Sequence, residues 1–245
     1  MNNLQDKVVL IVGAGRGIGR RAAELFHERG AHLAIASRNE AELAELQYKL
    51  THRHNDDTHP GGVLAQVADA TNSASVANLV NATVEKFGRI DVLLYAAGIG
   101  VLKPFAEITD DDFVRVMNTN TRGAFLTLKA VLPVMERQKG GHIIALPGIL
   151  GRAPMAQASI YAASKYALTG MLKSVALEYK RANVRISLLH LGGVNSSFWD
   201  TVTMRVQRER MLTVDAAAQA VLFAAGQEGE GVVGEIILQP ESHQM

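Results

Sequence analysis

Short apolar runs alternate with longer stretches of helical period along the whole chain. Residues 7–19, KVVLIVGAGRGIG, pass from Val8, Val9, Ile11 and Val12 through a cluster of glycines into RRAAELFHER over residues 20–29, where Ala and Leu recur at helical spacing. Consecutive apolar, β-branched positions suit a strand buried on both faces, and the period that follows predicts a helix. The alternation then repeats. Further strands are predicted at 31–36, 63–67, 90–95, 141–146, 184–190 and 235–238, with helices over 40–53, 73–87, 110–138, 159–181 and 214–225. Thr109 and Asp112 form a capping-box signature, and the acidic run 110–112 suits the positive end of the helix it opens. Such an order implies right-handed crossovers and a seven-stranded, mainly parallel sheet with helices on both faces. The chain therefore reads as α/β, doubly wound, in one domain over residues 1–245, with its ligand crevice at the carboxyl ends of the strands.

The first strand-to-helix junction carries the first candidate chemistry. Gly13, Gly17 and Gly19 let the backbone turn tightly and approach a ligand, while the helix start presents free N–H groups to an anion such as a dinucleotide pyrophosphate. The spacing is G-x-x-x-G-x-G. It is neither G-x-G-x-x-G nor a phosphate loop, which would need Lys where Arg20 stands, and a plain tight turn would read the same way. The second strand ends in Ser37-Arg38 rather than in an acid that accepts from the ribose of NAD, and Arg16 supplies a second cation. Together they suit the 2′-phosphate of NADP(H), the alternative being two solvated surface arginines.

Composition narrows the partners. With 245 residues and 48% hydrophobic content the chain can bury roughly 70–75% of its unfolded surface in one core. Its 25 basic and 24 acidic residues leave a net charge of +1, no global field for nucleic acid or an anionic membrane. There is no cysteine, no apolar run of membrane-spanning length and no signal-like start, so a cytoplasmic, small-molecule-binding protein is expected. His52, His54 and His59 sit in a polar, turn-rich stretch with no second cluster, which reads as a solvated loop, and no metal site is expected.

Two later helices add polar groups. Asn120 falls on the apolar stripe of Phe113, Met117, Ala124, Leu128 and Val131, and is either satisfied by neighbouring backbone or turned toward a site. Tyr161 and Lys165, four residues apart, share one helix face, where an ammonium beside a phenol would lower the phenol's pKa toward the range of a general acid or base.

Taken in order, the glycine turn, Asp69, the Ala97-Gly98 turn, Asn120 and the Tyr161/Lys165 pair resemble the short-chain dehydrogenase/reductase family over essentially the whole chain. The resemblance implies a Rossmann-type domain. It implies that Asn120, Tyr161 and Lys165 are catalytic, with Tyr161 exchanging a proton with the substrate oxygen, Lys165 holding the nicotinamide ribose and Asn120 positioning a water. The implied cofactor set is Gly13, Arg16, Gly17, Ile18, Gly19, Ser37, Arg38, Asp69, Ala70, Ala97, Gly98, Tyr161, Lys165, Val194 and Ser196, for NADP(H).

Three departures stand out. The family's serine thirteen residues before the tyrosine is Gly148, and neither Ser159 nor Ser164 is placed to replace it. Its Asn-Asn-Ala-Gly turn is Tyr95-Ala96-Ala97-Gly98, which removes amides that brace the sheet, and its Pro-Gly turn is Leu191-Gly192. Two functions follow. One is an NADP(H)-dependent reductase or dehydrogenase with an apolar pocket from Leu102, Phe105, Leu150, Met155, Phe198 and Trp199; the other is a cofactor-binding protein with little turnover, a sensor or assembly factor. The basic run 205–210 either meets an acidic substrate or is a solvated face. A homodimer or homotetramer is implied, packed through the helices from Thr109 and Ser159, where Ala162, Ala163 and Ala167 permit close approach.

Overall fold

A computed structural model of the chain describes residues 4–52, 61–202, 204, 206–227 and 231–243. Strands β1 (Val8–Val12), β2 (His32–Ser37), β3 (Val63–Val67), β4 (Val92–Tyr95), β5 (Gly141–Ala145), β6 (Val184–Leu191) and β7 (Glu235–Leu238) form one sheet in the order β3-β2-β1-β4-β5-β6-β7. Every neighbouring pair is parallel. Because side chains alternate along a strand, Val9 and Ile11 of β1 enter one core with helices α1 (Gly17–His27), α2 (Glu40–His52) and α7 (Val214–Ala225). Leu10 and Val12 enter the other, with α3 (Ser73–Phe87), α5 (Gly123–Gln138) and α6 (Ser159–Glu178). This is the doubly wound, Rossmann-type arrangement that the alternation predicts. Among the described residues no helix is long and apolar enough to cross a membrane.

Two boundaries differ for physical reasons. Helix α1 begins at Gly17 rather than at residue 20, so Gly17 and Gly19 belong to its first turn. The helix expected over 110–138 is broken into α4 (Asp110–Met117) and α5 by a π-turn at Asn118–Arg122. That wider turn changes the register between the two halves. Ala124, Leu128 and Val131 are buried as the stripe predicts, but Phe113 is exposed and Val116 is the buried residue of α4. The capping box of Thr109 and Asp112 forms in both directions.

The π-turn is braced where the sequence suggested a loss. Tyr95 is buried, and its hydroxyl donates to Thr119 O at 2.8 Å; burial, reinforced by nearby Asp69, keeps the phenol protonated. The tyrosine thus ties the end of β4 to the turn carrying Asn120. Gly123 lies beneath it, where an added Cβ would stand 2.6 Å from the Tyr95 hydroxyl.

Tyr95→Phe leaves the Thr119 carbonyl buried without this donor and should cost about 1–3 kcal/mol, seen as a lowered Tm. Gly123→Ala should destabilise the wild-type chain yet be largely tolerated beside Tyr95→Phe. An additive double variant in thermal unfolding would show that something other than the phenol confines position 123.

Candidate active site

A cleft of 1090 Å³ opens at the carboxyl ends of the strands, between the β1–α1 turn, the ends of β2 to β6 and the face of α6. Its floor requires glycine. At Gly13 (φ +96°) a Cβ would lie 2.5 Å from Ala97 N, and at Gly19 it would lie 2.1 Å from Gly13 O. The helix N-cap, Arg16, makes no side-chain cap and the first turn holds no acid, so the positive end of α1 is left for an anion from outside the chain.

The residues expected to hold a cofactor converge here. Gly13, Arg16, Gly17, Ile18, Gly19, Ser37, Arg38, Asp69, Ala70, Ala97, Gly98, Val194 and Ser196 all line the cleft, together with Tyr161 and Lys165. Arg16 and Arg38 are exposed and make no ion pair among the described residues. Ser37 Oγ is taken up by its own turn, accepting from Asn39 N at 3.0 Å. Burial works to raise the Asp69 pKa, but hydrogen bonds from the Thr71 N–H and hydroxyl, both 2.9 Å, and the charge of Arg38 outweigh it and hold the carboxyl below its usual value. Arg122 anchors that loop through Thr71 O at 2.7 Å. Thr71 and Arg122 escape sequence reading because they act on Asp69 and its loop rather than through a motif, and Glu42, beside Gly15, is a further lining residue of this kind.

At the other end Lys165 is buried, with Nζ donating to Leu146 O at 2.9 Å and standing 5.6 Å from the centroid of the Tyr161 ring. Burial pushes the Tyr161 phenol up to about 12 and pulls the Lys165 ammonium down to about 8. Desolvation therefore wins, and the expected lowering of the phenol by its neighbour does not appear. Asn120 lies behind the cleft wall. Its Nδ2 donates to Ile99 O and Ser164 Oγ, both at 2.9 Å, and its Oδ1 accepts from Ile99 N at 2.8 Å. It is the backbone-satisfied amide of the two alternatives, holding the turn at Gly98, where a Cβ would sit 3.3 Å from Asn120 Oδ1 and 3.5 Å from Lys165 Nζ. Ser164 is committed to this network and to Tyr161 O, and neither it nor Ser159 lines the cleft.

Gly148 lines the cleft near Tyr161 with φ +67° and ψ 176°, a conformation that is essentially glycine-only. A Cβ there would meet only Leu191 O, at 3.5 Å. A Cβ has room, but the backbone is not that of a serine. Beyond it the cleft is apolar: Leu102, Leu150, Met155, Phe198 and Trp199 line it as expected, and Met204 and Met211 join them. Phe105 does not; it is 76% exposed on a surface turn. Phe198 packs against Tyr161 with ring centroids 5.6 Å apart and lies over Gly100, where a Cβ would come 2.3 Å from its ring. In the basic run, Arg208 reaches Asn195 Oδ1 (2.8 Å), Ser196 O (2.9 Å) and Asp200 Oδ1 (2.7 Å), so it ties the segment over the cleft together; Arg205 is outside the described residues. His52 stacks on Tyr48, and His54 and His59 are also outside the described residues.

The short chain dehydrogenase family profile matches residues 7–206. A sepiapterin reductase of Chlorobaculum tepidum is 33% identical over 244 residues, 96% of each chain. Among solved structures, levodione reductase superposes with a TM-score of 0.86 at 27% identity, covering 98% of each chain. A metagenomic short-chain oxidoreductase in complex with NADP superposes with a TM-score of 0.82 at 26% identity, covering 97% of this chain and 98% of that one.

Two outcomes are expected. Gly148→Ser should destabilise by about 1–3 kcal/mol and give no gain of turnover, because the strained backbone offsets the returning hydroxyl; a faster and equally stable variant would contradict this. The folded pKa of Lys165, about 8, lies below its ordinary 10.5, so the buried ammonium opposes folding below pH 8 and this penalty fades as pH rises toward 10.5. Lys165→Met should therefore stabilise the ligand-free protein at pH 7 by about 1–3 kcal/mol, with the difference vanishing near pH 10 in denaturant titrations.

Proposed function

The chain belongs to the short-chain dehydrogenase family, and on that footing we propose an NADP(H)-dependent oxidoreductase that interconverts a carbonyl and a secondary alcohol on a small, largely apolar substrate. The observation that carries the reading is the single cleft that joins a glycine cradle at the end of α1, two arginines without ion pairs among the described residues, and the Tyr161/Lys165 face of α6. Arg16 and Arg38 suit the 2′-phosphate, the α1 terminus the pyrophosphate, Asp69 the adenine side, and Val194 and Ser196 the nicotinamide amide. NADP(H), when bound, supplies or removes the hydride.

The chain's own groups handle the proton. Protonated at neutral pH, the Tyr161 phenol donates to the carbonyl oxygen in reduction and takes the proton back in oxidation. Lys165, fixed by Leu146 O, is placed to hold the ribose and to stabilise the phenolate left behind. Asn120 acts through the 98–99 turn rather than from the cleft surface. Leu102, Leu150, Phe198, Trp199 and three methionines supply adaptable apolar walls.

A second reading, a cofactor-binding protein with little turnover, is favoured only by Gly148. Exposed Phe113, Val114, Phe125, Tyr166 and Leu177 on α4, α5 and α6 support a homodimer or homotetramer packed through these helices, to be checked by light scattering.

Following NADPH oxidation optically with ketones, aldehydes and diketones should show turnover that Tyr161→Phe lowers by about 10²–10⁴-fold. Arg16→Ala with Arg38→Ala should weaken NADPH binding by about tenfold or more while leaving NADH nearly unchanged. NADPH binding without turnover on any carbonyl would favour the second reading.

A further inference from the structure

Position 148 is gripped from behind by strand β6. The Gly148 N–H donates to Leu189 O at 3.1 Å, and its carbonyl accepts from Gly151 N and from His190 Nδ1, each at 3.1 Å. A carbonyl only accepts, so this geometry places the proton of that bond on Nδ1. His190 is 1% exposed, and its Nε2 faces Glu235 Oε2 at 3.4 Å, an ion-pair distance outside hydrogen-bond geometry. Glu235 is held in turn by Lys173 Nζ at 2.5 Å and Arg152 Nη1 at 3.1 Å. A buried imidazole thus links the wall of the cleft to a charge cluster at the surface, and the reaction described above makes no use of it. Two residues before Gly148, Leu146 O is the acceptor that fixes Lys165. The turn over residues 146–148 is therefore anchored to β6 at one end and holds the catalytic ammonium at the other.

We propose that His190 is a positioning residue of this site: by donating to the Gly148 carbonyl it fixes the turn that presents Leu146 O to Lys165. The inference rests on the oxidoreductase reading. A histidine that only filled space between β6 and β7 could be replaced by any side chain of similar bulk. One that positions the turn needs a donor where Nδ1 stands, which Asn supplies and Leu does not.

The test compares wild type, His190→Leu and His190→Asn in the full chain with NADPH bound. It measures kcat and KM, NADPH affinity, Tm, and amide hydrogen exchange at Gly151, whose N–H shares the Gly148 acceptor. His190→Leu should lower kcat about 10- to 100-fold with NADPH affinity unchanged and should speed Gly151 exchange, while His190→Asn returns both to within about threefold of wild type. If His190→Leu does not fold, His190→Gln, whose amide reaches the place of Nε2 instead, takes its part and should behave as a donor-free variant. Equal kcat and equal Gly151 exchange in the Leu and Asn variants would overturn the proposal, as would wild-type values in the Leu variant. The exchange readout needs no substrate, so a chain without carbonyl turnover would sink the oxidoreductase reading and still report whether His190 holds the turn.

Discussion

Where β1 runs into α1, main chain passes against main chain with no room for a side-chain carbon. Gly13 lies against Ala97 at the end of β4, and Gly19 against the carbonyl of Gly13, so the central strand, its neighbour and the first helix meet at a point that only glycine permits. Everything that binds is arranged about this contact. It seats the start of α1 above the middle of the sheet, leaves its N–H groups unclaimed, and brings the Ala97-Gly98 turn against them. The other end of the cleft, built on α6 and the turn after β5, lies across from the same contact.

At that end the protein accepts an unfavourable burial. Lys165 is withdrawn from water and Tyr161 partly so, enough that both resist ionisation, with one carbonyl, Leu146 O, compensating the ammonium. A site kept this way is poised: a negative charge arriving beside Lys165 is welcomed by a cation that has few other partners. The polar groups around it are satisfied largely by backbone, as Asn120 is by both main-chain groups of Ile99 besides the Ser164 hydroxyl, which ties the local geometry to the turns.

Much of this was legible in the residues. Continuous apolar runs and helical periods marked the order of elements because the central strands are buried on both faces and the helices on one, and the glycines that floor the cleft stood out by their spacing. What escaped has physical causes. The π-turn at Asn118–Arg122 leaves no mark on hydrophobic period until it has already shifted it, so Phe113 was placed inside and lies outside. The service of Tyr95 to Thr119 O depends on a partner 24 residues away, and the sign of the Tyr161 shift depends on how much water is excluded, neither of which a linear string contains. Phe105 and Phe198 are equally aromatic; only the fold turns one outward and lays the other over Gly100.

The conformation of Gly148 also bears on how this wall of the cleft can be altered. Here the peptide holds a geometry that L-residues avoid, with Leu189, Gly151 and His190 all bonded to it in that form. A side chain can enter at this position only if the backbone and its partners move as well. The cleft is therefore more readily reshaped through the residues around the glycine than at the glycine itself.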